Sequence, residues 1–137
     1  MLSQLVYFSN RGELGPGGIL RLVDRARIKN AASGVTGVIL FNRDYFLQCL
    51  EGERREVTET FGWILPDPRH TNVELMSVRD IEQRDFPDWT MGLLTPTEAM
   101  TTTFRRFLPT DDFPPQALTG ESAAALLKSL RDVQYTV

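Results

Sequence analysis

The sequence predicts an α+β domain, with two helices on one face of a mainly antiparallel sheet, a fifth strand and a C-terminal helical tail. Three observations predict it. Apolar residues recur with period two, then near 3.6, in the order strand, helix, strand, strand, helix, strand. Gly- and Pro-rich stretches fall between these segments. A chain of 137 residues, 42% hydrophobic and 24% charged, suits one globular core.

Residues 2–9, LSQLVYFS, read as a strand with Leu5, Tyr7 and Ser9 on one face and Val6 and Phe8 on the other. Apolar residues on both faces place it centrally. NRGELGPGG then reads as a loop, because its glycines and proline cannot continue a ladder. Ile19, Leu22, Val23 and Ala26 form the stripe of an amphipathic helix, and Asn30 lies one turn further on. Gly34 is suited to terminate it. Residues 35–41 and 45–50, VTGVILF and YFLQCL, predict a hairpin turning at Asn42-Arg43-Asp44 and closed by Glu51-Gly52. On its second arm Phe46, Gln48 and Leu50 share a face. Residues 54–65 predict a second helix, ended by Pro66 and Pro68. Residues 72–82 predict a fourth strand and residues 86–94, FPDWTMGLL, a fifth. The first six elements match the ferredoxin-like split βαβ pattern. In the proline-rich tail, residues 121–133 predict a helix whose Ala124, Leu127 and Leu130 must rest on the uncovered sheet face or on another subunit.

Composition narrows the function. A net charge of −3 gives no basic face for nucleic acid. Arg21, Arg25, Arg27 and Lys29 share their segment with Asp24 and read as a solvated helix face. The single cysteine, Cys49, cannot form an internal disulfide and lies in an apolar run where a buried thiol is the default. With one histidine, His70, a metal site would have to be all carboxylate, and Glu51, Glu53, Asp67 and Asp85 are not spaced for one. No GxGxxG, Walker loop or GxSxG motif occurs, and the Gly12–Gly18 stretch is not followed by Lys-Ser/Thr. The first residues lack a basic n-region, and no apolar run is long enough to cross a bilayer. The expectation is a cytoplasmic protein with neither nucleic acid nor membrane as partner.

If the faces bearing Tyr7 and Gln48 are the helix-covered face, these two side chains and Asn30 of the helix stripe all point into the layer between helices and sheet. Buried amides and phenols need partners. Converging, they would form the polar set of a pocket lined by Leu22 and Ile64. The same pattern also allows Tyr7 at the sheet rim, Gln48 at an edge and Asn30 as a helix terminus. Periodicity names no ligand.

The ordered motifs LVY, N-x-x-x-G-V-T-G-V-I-L-F, F-L-Q-C-L-E-G, D-P-R-H and F-P-D-W-T-M resemble the BLUF domains, blue-light sensors using FAD, from about residue 3 to residue 94. The resemblance implies a flavin ring between the two helices of residues 1–95. Residues 96–137 would be a helical extension like the cap of the short, single-domain members, packing on the sheet or a partner subunit. Carried onto this chain, Tyr7 starts the photochemistry and Gln48 switches its hydrogen bonds. Asn30 holds the flavin's polar edge, and Leu22 and Ile64 sandwich the ring. Asp67, Arg69 and His70 lie near the ring's other end, and Trp89 and Met91 relay the signal. Two positions depart from the pattern. Trp63 stands where many members carry a basic residue, and Lys29 where many carry asparagine. They affect the dinucleotide side, so FMN or riboflavin could stand in for FAD.

The resemblance thus implies a photoreceptor rather than an enzyme, with no catalytic residues beyond the photoactive pair. Its output would be an unidentified downstream protein or a change of assembly, and the tail's apolar stripe suggests a homo-oligomer. Two alternatives share the fold: a flavin-free interaction module, and a small acylphosphatase-like hydrolase. The hydrolase would need an arginine-bearing phosphate loop and an asparagine on the second strand. Arg11 has no matching cradle, and VTGVILF has no asparagine.

Overall fold

A computed structural model describes residues 1–12, 14–109 and 114–133. Residues 110–113 and 134–137 of the expected C-terminal extension lie outside the described residues. The elements are β1 (Leu2–Arg11), α1 (Gly18–Ser33), β2 (Thr36–Phe41), β3 (Tyr45–Glu53), α2 (Arg54–Ile64), β4 (His70–Ile81), β5 (Gly92–Leu94), α3 (Thr101–Phe107) and α4 (Gly120–Val133). The sheet order is β4-β1-β3-β2-β5. β1 pairs antiparallel with β3 and β4, β2 pairs antiparallel with β3, and β5 lies parallel to β2 at the edge. The α+β, ferredoxin-like class with an added fifth strand and a helical cap is what the sequence predicts.

The sheet separates two apolar layers, and strand parity decides which residue enters which. Leu5, Tyr7, Ile39, Phe46 and Leu50 face Leu22 and Val23 of α1 and Val57 of α2. Val6, Phe8, Val38, Leu40, Leu47 and Cys49 face Phe104 of α3 and Leu126, Leu127 and Leu130 of α4. The tail's apolar stripe is therefore covered by the chain's own sheet and does not itself call for a second copy. α1 ends where Gly34 takes φ 74°, in the left-handed region that favours glycine.

Two differences from the sequence reading matter for the site. β5 covers only Gly92–Leu94, not residues 86–94. Phe86 to Met91 cross the end of the sheet as irregular chain, so Trp89 and Met91 precede the strand rather than belong to it. Their backbone bonds go to single anchors instead of a ladder: the Trp89 carbonyl accepts from Gly37 N–H at 2.9 Å. Nor does β3 close at Glu51-Gly52. It runs to Glu53, with Glu51 fully buried.

Candidate functional site

In the layer covered by α1 and α2, a cavity of about 810 Å³ opens between the two helices. That is within the roughly 300–1,000 Å³ of small-molecule sites. Leu22 of α1 and Ile64 at the end of α2 give it apolar walls, and Gln48, Asn30, His70 and Met91 also line it.

Gln48 lies on β3, directly opposite Tyr7 of β1 and Ile39 of β2. This central register is why both polar side chains are buried. Tyr7 is fully enclosed behind the cavity wall, and its hydroxyl donates to Gln48 Oε1. Burial, reinforced by the negative charge of Asp67, pushes the Tyr7 phenol well above its ordinary pKa. The neutral phenol is thus strongly favoured. At its other end, among the described residues, Gln48 Nε2 reaches only Met91 Sδ, 3.7 Å away. A thioether is a weak acceptor, so this amide N–H is ready to bond a better one entering the cavity.

Asn30, buried near the end of α1, donates from Nδ2 to the Thr90 carbonyl at 2.6 Å. Arg27, one turn earlier, donates from Nε to the Met91 carbonyl at 3.0 Å. With the Gly37 bond to Trp89, three successive carbonyls are held, and the two side chains flanking Thr90 point to opposite layers. Met91 enters the cavity layer. Trp89 packs in the α3/α4 layer, stacked on Phe86 at 6.1 Å. Its ring lies so close to Gly92 that a Cβ there would come within 2.0 Å of it.

Beyond α2, Arg69 grips Asp67 through two nitrogens, at 2.6 Å and 3.0 Å. That bond holds the Asp67 carboxyl down at about 2 and raises the guanidinium. His70 is buried against Tyr7 and Phe46, with Nδ1 3.1 Å from Ser9 Oγ. Burial lowers its imidazole to about 4, so it is neutral at pH 7.

The structure thus brings Leu22, Asn30, Gln48, Ile64, Asp67, Arg69, His70 and Met91 to one cavity. Tyr7 sits one side chain behind it, and Trp89 lies on the other face of the sheet. Sequence reading missed two features. Arg25 and Lys29, taken as solvated, line the cavity mouth, and Arg27 braces Met91. Opposite, Glu51 accepts from Gln4 Nε2 at 2.7 Å and from the Asp85 and Phe86 N–H groups at 3.0 and 2.8 Å. Arg131 of α4 donates to the Asp85 carbonyl. Parity held a signal for this cluster, because Gln4 shares the face of Val6 and Phe8.

Fold and cavity define a small-molecule-binding α+β domain suited to a flat ligand with apolar faces and a polar edge. Comparison with known proteins gives the family. Residues 2–92 match BLUF, described as "Sensors of blue-light using FAD". The chain belongs to this family of flavin-binding blue-light sensors. It is 33% identical over 108 residues to photoactivated adenylate cyclase subunit beta of Euglena longa, covering 75% of this chain and 12% of that protein. To the blue light- and temperature-regulated antirepressor BluF of Escherichia coli K12 it is 39% identical over 74 residues, covering 53% of this chain and 18% of that protein. The chain therefore spans a small part of these relatives. The structure of BlsA in its photo-activated state superposes with TM-score 0.84 at 28% identity, covering 95% of this chain and 94% of that one. Among the described residues, no helix is long and apolar enough to cross a membrane.

Proposed function

We propose that this chain detects blue light with non-covalently bound FAD, through the Tyr7–Gln48 pair, and passes the signal to a partner protein rather than transforming a substrate. The observation that carries this reading is the buried Tyr7 hydroxyl bonded to Gln48 Oε1, while Gln48 Nε2 bonds the Met91 thioether at the cavity wall.

Leu22 and Ile64 would flank the ring, and Asn30 and Gln48 would face its polar edge, each amide offering donor and acceptor. When bound, a light-excited flavin would supply an oxidant strong enough to take an electron from a phenol. Tyr7 would be the donor, its phenol proton moving to Gln48 Oε1 as the electron leaves. Return of both to Tyr7 would leave no net oxidation and the Gln48 amide rotated or tautomerised. The donor and acceptor ends it presents to the cavity have then exchanged. A rearranged hydrogen bond in a dry site is worth about 1–3 kcal/mol, enough to shift a two-state element several-fold to about a hundredfold. The adjacent element is Met91, whose sulfur loses or regains its contact with Gln48. Through Trp89 the change reaches the α3/α4 layer.

The test is spectroscopic. The purified chain with FAD should be yellow, and its flavin bands should shift to the red under blue light and recover in the dark. Tyr7→Phe should keep the colour and abolish the shift. Failure to bind flavin, irreversible bleaching or a shift that survives in Tyr7→Phe overturns the assignment.

A further inference from the structure

At the cavity mouth, a side chain of α1 meets one of α2. Lys29 Nζ stands 5.2 Å from the centroid of the Trp63 ring, a cation–π pair across the opening. Both residues line the cavity, as does Arg25, one helical turn before Lys29. Among the described residues Arg25 makes no ion pair or hydrogen bond, although Glu56 and Glu59 line the opposite, α2 rim. Trp63 is 68% exposed despite being the largest apolar side chain at the site. An aromatic face and two cations thus stand at the opening of a cavity whose ring-sized slot lies deeper, between Leu22 and Ile64.

We propose that Trp63, Lys29 and Arg25 form a separate subsite for the nucleotide end of the flavin, the adenine base stacking on Trp63 and the diphosphate lying along Lys29 and Arg25. This rests on the flavin reading of the deeper cavity. Every nucleobase has a π-face, and stacking on an indole needs no hydrogen-bond code. Lysine and arginine are the natural counter-charges for phosphate, while Glu56 and Glu59 repel it. The phosphates are therefore drawn to the α1 rim, and the base falls on the side where Trp63 projects. Lys29 already rests on that ring, so the cation and the aromatic face are held together before the ligand arrives.

The test is equilibrium binding of FAD, FMN and riboflavin to the flavin-free 137-residue chain, read by quenching of flavin fluorescence. The unaltered chain should bind FAD at least about tenfold more tightly than riboflavin, with FMN between. Trp63→Ala should weaken FAD by about tenfold and leave FMN and riboflavin within about twofold. Lys29→Ala should weaken FAD and FMN together, and Lys29→Arg should restore both. Since Trp63 and Lys29 are exposed, circular dichroism should find these variants folded. Equal affinity for the three flavins, or a Trp63→Ala loss shared by riboflavin, overturns the subsite while leaving the flavin reading intact. Binding of none of the three flavins overturns the flavin reading, and the subsite with it.

Discussion

The two faces of the sheet are built from alternate residues of the same strands, yet they solve different problems. On the α1/α2 face, Tyr7 and Gln48 interrupt the apolar layer and a cavity of about 810 Å³ remains between the helices. On the α3/α4 face, apolar side chains from β1, β2 and β3 meet Leu126, Leu127 and Leu130, all three fully buried. Its polar cluster, around Glu51, is internally satisfied. The difference teaches that the first face is held open for a ligand while the second is held shut. A rearrangement at Gln48 is cheap where space is available. On the proposed light-sensing reading, it would become a signal only on reaching the α3/α4 layer.

The sharpest way to break this comparison is to truncate a leucine on each face. Leu127→Ala should cost about 2–5 kcal/mol, because it opens a void in a close-packed core. Leu22→Ala in the flavin-free chain should cost only about 1–2 kcal/mol, because the space it leaves joins an existing cavity. Urea unfolding of the two variants decides it, and equal losses would mean that the faces are packed alike.

The next effect belongs to the cavity face. His70 is held near 4 instead of its ordinary 6.5 by burial, between the Asp67 carboxylate and the Arg69 guanidinium. The unfolded chain therefore binds the proton more readily than the folded one. Stability should be full above pH 6.5 and fall by about 3 kcal/mol as pH drops toward 4. Asp67 acts in a lower window, from its ordinary 3.8 down to about 2. As the chain has one histidine, His70→Phe should flatten the loss between pH 6.5 and 4 and leave the lower one. Denaturation midpoints at pH 7 and 4.5 measure it.

The smallest effect sharpens the other side. Glu51→Gln turns one acceptor oxygen into a donor facing N–H groups, and should cost about 1–2 kcal/mol. Because Glu51 ties the Asp85-Phe86 segment to β3, amide exchange should speed up there and at α4 more than at α1.

The sheet was legible because strand period and parity are properties of the local chain, whereas the Tyr7–Gln48 pairing depends on the β1/β3 register, which parity does not fix. Parity combined with helix phase allowed the pocket beside a rim tyrosine, an edge glutamine and a terminal asparagine, and it named no ligand, since a polar edge fits many flat molecules. What stayed hidden depends on distant partners. FPDWTM looks like a strand by composition, yet its carbonyls are taken by Gly37, Asn30 and Arg27, so no ladder forms. Glu51 follows a strand and resembles a turn residue until Gln4 and the 85–86 backbone are seen around it. Arg25 and Lys29 look solvated because an isolated helix does not reveal what stands across from it.

The three tethered carbonyls of Trp89, Thr90 and Met91 carry a kinetic consequence. Side chains on a slack loop would drift between layers in small steps and give a graded reply to light. Here residues 89–91 cannot turn over without releasing their bonds to Gly37, Asn30 and Arg27 together. Such a segment behaves as a latch. If it carries the proposed light signal, it should hold through partial disturbances and then yield all at once, so that brief or dim illumination would change how many molecules have switched rather than how far each has moved.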